Sequence, residues 1–269
     1  MADLDAVLAD LAAEGADLDE LVNGADAGTW AKETPAAGWT IAHQIAHLAW
    51  TDEVSIISVT DPESFKAVVK NAWEKPTTFV DDAAEELAEI PTPELLERWR
   101  ASRKDLITAL SGVVPGRKLD WFGPPMSAAS MATARIMETW AHGQDVADTV
   151  GVRRSPTARL KHVAHIGIRA RNFAYSLHNE TPPTDEFRVE LLAPDGTTWT
   201  WGPEDAAQRV TGPALDFCLL VTQRRHLDDL AVEAVGPDAT HWLSIAQSFA
   251  GAPGTGRAPG QFAQETAQA

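Results

Sequence analysis

The sequence predicts a mainly α protein: an up-and-down four-helix bundle over residues 1–180, a smaller α+β domain over 181–252, and a flexible tail over 253–269. Three observations carry this reading. Apolar residues recur at helical spacing through most of the first 180 positions. Capping and breaking residues bracket those stretches. Beyond Thr181-Pro182-Pro183 the pattern shifts toward strand-like alternation around a turn signal.

The first helix follows from Leu4, Val7, Leu8, Leu11, Leu18, Leu21 and Val22, and Asn23-Gly24 ends it. A second starts at Thr40, a suitable N-cap, and carries Ile41, Ile45, Leu48 and Ile56 on one face. Asp61-Pro62 stops it and opens the next, with Asp61 as cap and Pro62 in the first turn. A further helix spans Phe79 to Ile90. Thr92 caps the one after it, whose core face holds Leu95, Leu96, Trp99, Leu106 and Leu110. The stretch from Gly112 to Met126 reads as a loop in which Trp121, Phe122 and Met126 either line a pocket mouth or pack on the bundle. A long helix then runs from Ser127 to Val150, closed by Gly151, and Ser155-Pro156 opens another to His178. In the second part, residues 187–192 and 197–201 flank Pro194-Asp195-Gly196 as a hairpin. Residues 209–213 lead into a helix with Leu215, Leu219 and Leu220, and a last helix covers 238–249.

Bulk composition excludes several classes of partner. The net charge of −17 opposes binding to nucleic acid, which rests on Lys and Arg neutralising phosphates. It equally opposes docking on an anionic membrane. No run approaches the ~20 apolar residues of a membrane span. Met1-Ala2-Asp3-Leu4-Asp5 has neither a basic segment nor an apolar core, so no signal peptide is read and the cytoplasm is the expected location. The single cysteine, Cys218, stands among Leu215, Phe217, Leu219 and Leu220 and reads as a buried, inert thiol. Any thiol chemistry would then use a sulfur from outside the chain.

The strongest chemical signal is Glu138 and His142 at positions i and i+4 of the long helix. That spacing puts their Cβ atoms on one face, ~5–6 Å apart. Alone, the pair also fits a solvated contact on a helix face. It gains weight from His47, set among the apolar residues of the helix after Thr40. Bundles place metal sites between facing helices with inward-pointing Glu and His. Two nitrogens and one carboxylate oxygen leave a coordination position open, as catalytic zinc sites do. His43, one turn before His47, reads as a residue near the helix start or as a further ligand or pocket residue. His162 and His165 read as structural or surface residues, and the run Asp81, Asp82, Glu85, Glu86 and Glu89 as a solvated face.

At these residues the chain resembles the DinB-like superfamily, specifically the mycothiol-dependent maleylpyruvate isomerase type. The matching segments are Trp39-Thr40-Ile41 leading to Ala46-His47-Leu48-Ala49, and Glu138-Thr139-Trp140-Ala141-His142-Gly143-Gln144-Asp145, close to an E-x-x-x-H-x-x-D pattern. The resemblance implies that His47, Glu138 and His142 are the ligands of a divalent metal. Zinc comes first, with nickel, manganese or iron as alternatives for the same donors. It implies a role for Asp145 as an outer acceptor that fixes a histidine tautomer. It also implies mycothiol as thiol cosubstrate and a small electrophilic substrate, with the chain acting as a cis–trans isomerase or S-transferase. A family arginine that follows a G-P-x-x-x-L-L-type helix maps onto Arg224, a candidate for binding a substrate carboxylate. Here Gln223 stands where the family more often has glycine, and Arg225 adjoins. His43 is a second substrate-side candidate. The expected partners are a small substrate and a small thiol, without nucleic acid or membrane, in a monomer or homodimer. Two other readings use the same residues: a hydrolase working through metal-bound water, and a non-catalytic protein held together by zinc.

Overall fold

The computed structural model describes residues 3–254 and 256–262. It divides into two compact units, Met1–Arg154 and Ser155–Ala269. Part of the expected tail, residues 255 and 263–269, lies outside the described residues. Among the described residues no helix is long and apolar enough to cross a membrane.

The first unit holds α1 (Leu4–Val22), α2 (Ala27–Trp30), α3 (Ile41–Thr60), α4 (Pro62–Glu74), α5 (Phe79–Ala88), α6 (Thr92–Ser111) and α7 (Ala128–Val150). The bundle is α1, α3, α6 and α7: α3 packs on α6 and α7, and α1 packs on the same two. One core cluster joins Leu18 and Val22 of α1, Ile41 and Ile45 of α3, Leu95 and Trp99 of α6, and Val146 of α7. The other joins Val7 and Leu11, Val59, Leu106 and Leu110, and Met131 and Ile136. The first halves of α3 and α6 therefore share one cluster with the last halves of α1 and α7. So α1 and α7 run one way and α3 and α6 the other, with α4 and α5 carrying the chain back between them. Each fully buried Leu or Ile contributes about 1.5–3 kcal/mol. The two clusters fix the helices on either side of a buried polar layer that includes Glu14, His47, Asp52 and Arg135.

Local signals set the helix ends. Asp61 accepts a hydrogen bond from the Ser64 amide with Pro62 at the start of α4. The Ser127 side chain accepts from the Ser130 amide at the start of α7. Gly151, at φ +69°, takes the left-handed conformation that closes α7. At α6 the cap is Pro91 rather than Thr92, which is already helical.

The second unit holds α8 (Leu160–Arg169), α9 (Arg171–Leu177), β1 (Phe187–Leu192), β2 (Thr198–Trp201), β3 (Gln208–Pro213), α10 (Ala214–Val221), β4 (Glu233–Val235) and α11 (Pro237–Ile245). Its sheet has the order β2-β1-β3-β4. β1 and β2 form the expected hairpin, with Leu192 opposite Thr198. β1 and β3 are parallel, and β3 and β4 antiparallel. Phe187 of β1 and Phe217 of α10 both meet the Trp242 ring of α11 edge-on.

This unit departs from the sequence expectation in three places. The single helix from 155 to 178 is two, starting at Leu160 and broken at Ala170. Residues 208–213 are a strand, although the sequence shows only an approach to a helix. The last helix stops at Ile245, and the chain then turns back so that the Ser248 amide donates to the Val221 carbonyl. The boundary expected at 180 also moves: α8 packs on α10, which groups α8 and α9 with the sheet.

Candidate metal centre

α3 and α7 cross with opposite directions, and their middles carry the polar side chains that the two apolar clusters leave uncovered. His47 Nε2 lies 3.4 Å from Glu138 Oε2, and His142 Nε2 lies 3.2 Å from the same oxygen. The ligand atoms of His47, Glu138 and His142 all lie within 4.8 Å of one another, so the three could hold a metal ion. Charge-assisted N–H···O bonds close to ~2.7–2.9 Å, and these two are longer. Donors ~2.0–2.1 Å from one tetrahedral zinc stand about 3.3 Å apart, so the observed separations match edges of a coordination shell.

The His142 imidazole is held from behind. His142 Nδ1 lies 2.5 Å from Gln44 Oε1. Gln44 Nε2 donates to Thr34 Oγ1 at 2.8 Å, and Thr34 Oγ1 donates to the Trp39 carbonyl at 2.8 Å. This relay keeps a proton on Nδ1 of His142 and turns Nε2 toward Glu138. Trp39 stacks on the His142 ring at 5.9 Å between centroids and lies 5.2 Å from the His47 ring. Burial alone would raise the Glu138 pKa, but hydrogen bonds from His142 and His47 and the Arg135 charge outweigh it and hold the carboxyl well below its usual range. Glu138 is therefore an anion.

Two charged neighbours complete the layer. Arg135 Nη2 stands 3.8 Å from Glu138 Oε1. Asp52, on α3, has its pKa raised to about 7 because burial disfavours its charge more than Arg135 and Arg103 favour it.

The other expected residues fall as follows. His43 completes the capping box of α3: its Nδ1 accepts from the Thr40 amide, while Nε2 pairs with Glu85 at 2.8 Å. Asp145 is fully buried on α7, one turn beyond His142. Arg224 belongs to the second unit, where its Nη1 donates to the Thr222 carbonyl at 2.6 Å. The neighbouring Arg225 guanidinium lies 3.8 Å over the Phe262 ring. Cys218 is buried, and desolvation pushes its thiol well above the ordinary value. Sequence reasoning missed Gln44 and Arg135. Each stands one turn before a triad member, Gln44 before His47 and Arg135 before Glu138, and that spacing was the available signal.

A four-helix bundle with two imidazoles and a carboxylate converging across its interior defines a class of bundle proteins with an internal metal-type donor cluster. The chain belongs to the family described as the mycothiol maleylpyruvate isomerase N-terminal domain, whose model matches residues 11–147. A second model, wyosine base formation, matches residues 183–235. Two uncharacterized proteins of Mycobacterium tuberculosis are each 59% identical over 257 residues, which is 96% of this chain and all of theirs: MT0041 of strain CDC 1551 / Oshkosh and Rv0036c of strain ATCC 25618 / H37Rv. Among solved structures, the mycothiol-dependent maleylpyruvate isomerase superposes with a TM-score of 0.58 at 14% identity, covering 88% of this chain and 95% of that one. A histidine-to-alanine mutant of that isomerase gives the same score at 15% identity. These likenesses establish the fold, a DinB-like bundle followed by an α+β part.

Proposed function

We propose that His47, Glu138 and His142 bind a divalent cation, zinc first. We propose further that the protein is a cytoplasmic, thiol-dependent enzyme of the isomerase or S-transferase type, using mycothiol on a small electrophile. The observation that carries the metal is the pair of imidazole nitrogens at 3.2 and 3.4 Å from one carboxylate oxygen. Family membership supports the thiol. A cation held by three protein ligands keeps a position for an outside group and would stabilise a small thiol as its thiolate.

The chain's own residues supply the rest. Glu138, already ionised, balances the cation's charge. Gln44 fixes the His142 tautomer from behind, and Asp145 is assigned the outer role one turn on. Trp39 shields the two imidazoles on one side. Cys218 is excluded as the attacking sulfur by its burial and raised pKa. Arg224 remains the candidate for a substrate carboxylate on the second unit, and His43 a substrate-side candidate.

The test is elemental analysis of wild type, His47→Ala and Gln44→Ala, with thiol titration of a cobalt-substituted wild-type sample. The expected result is stoichiometric metal that His47→Ala loses, and about 10–100-fold weaker binding in Gln44→Ala. Thiolate-to-cobalt absorption should grow on titration. Metal without any thiol response would move the assignment to a hydrolase or a zinc-stabilised scaffold, and absence of metal in wild type would reject the site.

A further inference from the structure

Arg135 is a buried charge beside the proposed metal ligands that takes no part in holding the cation. It lies one turn before Glu138 on α7 and is 4% exposed. Its one ion pair among the described residues, Nη2 to Glu138 Oε1 at 3.8 Å, is long for a charge-assisted bond. Its Nε and Nη1 are buried and have no hydrogen-bond partner among the described residues. A guanidinium stays protonated and presents a planar fork of donors that fits a carboxylate. Donors left unmet in the interior are costly, which points to a ligand that meets them.

A row of aromatic rings joins this arginine to the imidazoles. Trp50 lies 6.0 Å from His47 and 5.2 Å from Phe79 between ring centroids. Phe79 lies 5.9 Å from Phe122, and Phe122 lies 5.1 Å from Trp121. The Arg135 guanidinium carbon sits 5.2 Å over the Trp121 ring. Trp121 and Phe122 belong to a loop closed at its base by paired amide bonds between Leu119 and Met126.

We propose that Arg135 anchors the carboxylate of an aromatic acid, whose ring lies along this row of rings beside His47, Glu138 and His142. The proposal deepens the metal-site reading and rests on it. Once a divalent cation engages Glu138, the carboxylate no longer balances Arg135 alone, and the site gains net positive charge. A protein of net charge −17 repels acids from its surface in general. An acidic ligand therefore needs a local cation, and Arg135 is one that the bundle already buries.

Isothermal titration of the metal-loaded full chain with trans-cinnamate and with cinnamamide tests this, using wild type, Arg135→Gln and Arg135→Lys, with metal content measured on each sample. Cinnamate should bind wild type at least about tenfold more tightly than the uncharged amide. Arg135→Gln should keep its metal and lose at least about tenfold in cinnamate affinity, with Arg135→Lys between the two. The proposal is overturned by equal binding of acid and amide, by no binding of cinnamate to metal-loaded wild type at millimolar concentration, or by Arg135→Gln that holds metal and binds cinnamate like wild type. Should Arg135→Gln not fold, the acid–amide comparison on wild type and Arg135→Lys decides. If wild type takes up no metal, the proposed function fails by itself, and the same ligand comparisons on metal-free samples still judge Arg135.

Discussion

At Asp52 the bundle buries a carboxyl group that makes no ion pair among the described residues, and burial raises its pKa to about 7. The unfolded chain would titrate it near the ordinary aspartate value of 3.8. Between those two values the native state binds the extra proton, so stability falls as pH rises through that window and the full penalty applies above it. Raising the pKa from 3.8 to about 7 corresponds to about 4 kcal/mol. Asp52→Asn keeps the shape and removes the charge. In a chelating buffer, urea unfolding should show Asp52→Asn gaining on wild type by more than about 1 kcal/mol between pH 5 and pH 8. A gap that does not change with pH would mean that Asp52 keeps its charge at neutral pH. The sequence made the Glu138/His142 pair legible because an acid and a histidine four apart on a helix share a face whatever surrounds them. Asp52 and Arg135 were not legible, because a charged residue in an amphipathic helix reads as surface unless the opposing helices are known. Here the two apolar clusters pin both in the interior.

The end of α10 shows how an element can be read from one residue. Gln223 has φ +58°, a left-handed conformation that glycine takes freely and other side chains take at a cost of roughly 1–2 kcal/mol. Its amide donates to the Leu220 carbonyl and the Arg224 amide to the Leu219 carbonyl, the paired bonds of a Schellman end. This explains why glycine suits the position and why Gln223 still fits there. Gln223→Gly should raise stability by about 0.5–1 kcal/mol, seen as a higher urea midpoint at unchanged slope. A lower midpoint would show that Gln223 contributes contacts worth more than its strain. The first unit was legible element by element because Pro62, Ser127 and Gly151 mark its helix ends. β3 was not, because its first residue is polar for a tertiary reason: Gln208 Oε1 accepts from the Asp238 and Ala239 amides and so caps α11. The break at Ala170 has neither glycine nor proline to announce it.

For the whole chain, the question is where the bundle ends. Helical periodicity continues from the first residues to about 178, which is why the sequence suggests a boundary near 180. Packing cuts it at Arg154. α8 buries Leu160, Val163 and Ala164 completely. A Cβ added at Gly167 would stand 2.7 Å from the Val221 side chain, so α8 lies close against α10. The Cys218 thiol donates to the Leu160 carbonyl across the same contact. The first unit has its own closing tie: the Arg154 guanidinium pairs with Glu14, which is 1% exposed, and donates to the Trp140 carbonyl. A fragment of residues 1–154 thus keeps the two apolar clusters, the closing tie and all three proposed ligands. It should unfold cooperatively and bind metal with the stoichiometry of the full chain. A fragment of residues 1–180 adds two helices, α8 and α9, that have lost their packing partners α10 and α11. It should be less soluble and expose more dye-binding apolar surface, without any gain in the unfolding midpoint. If instead the shorter fragment is molten and the longer one folds, the bundle draws its stability from α8 and α9, and the boundary belongs near 180 after all.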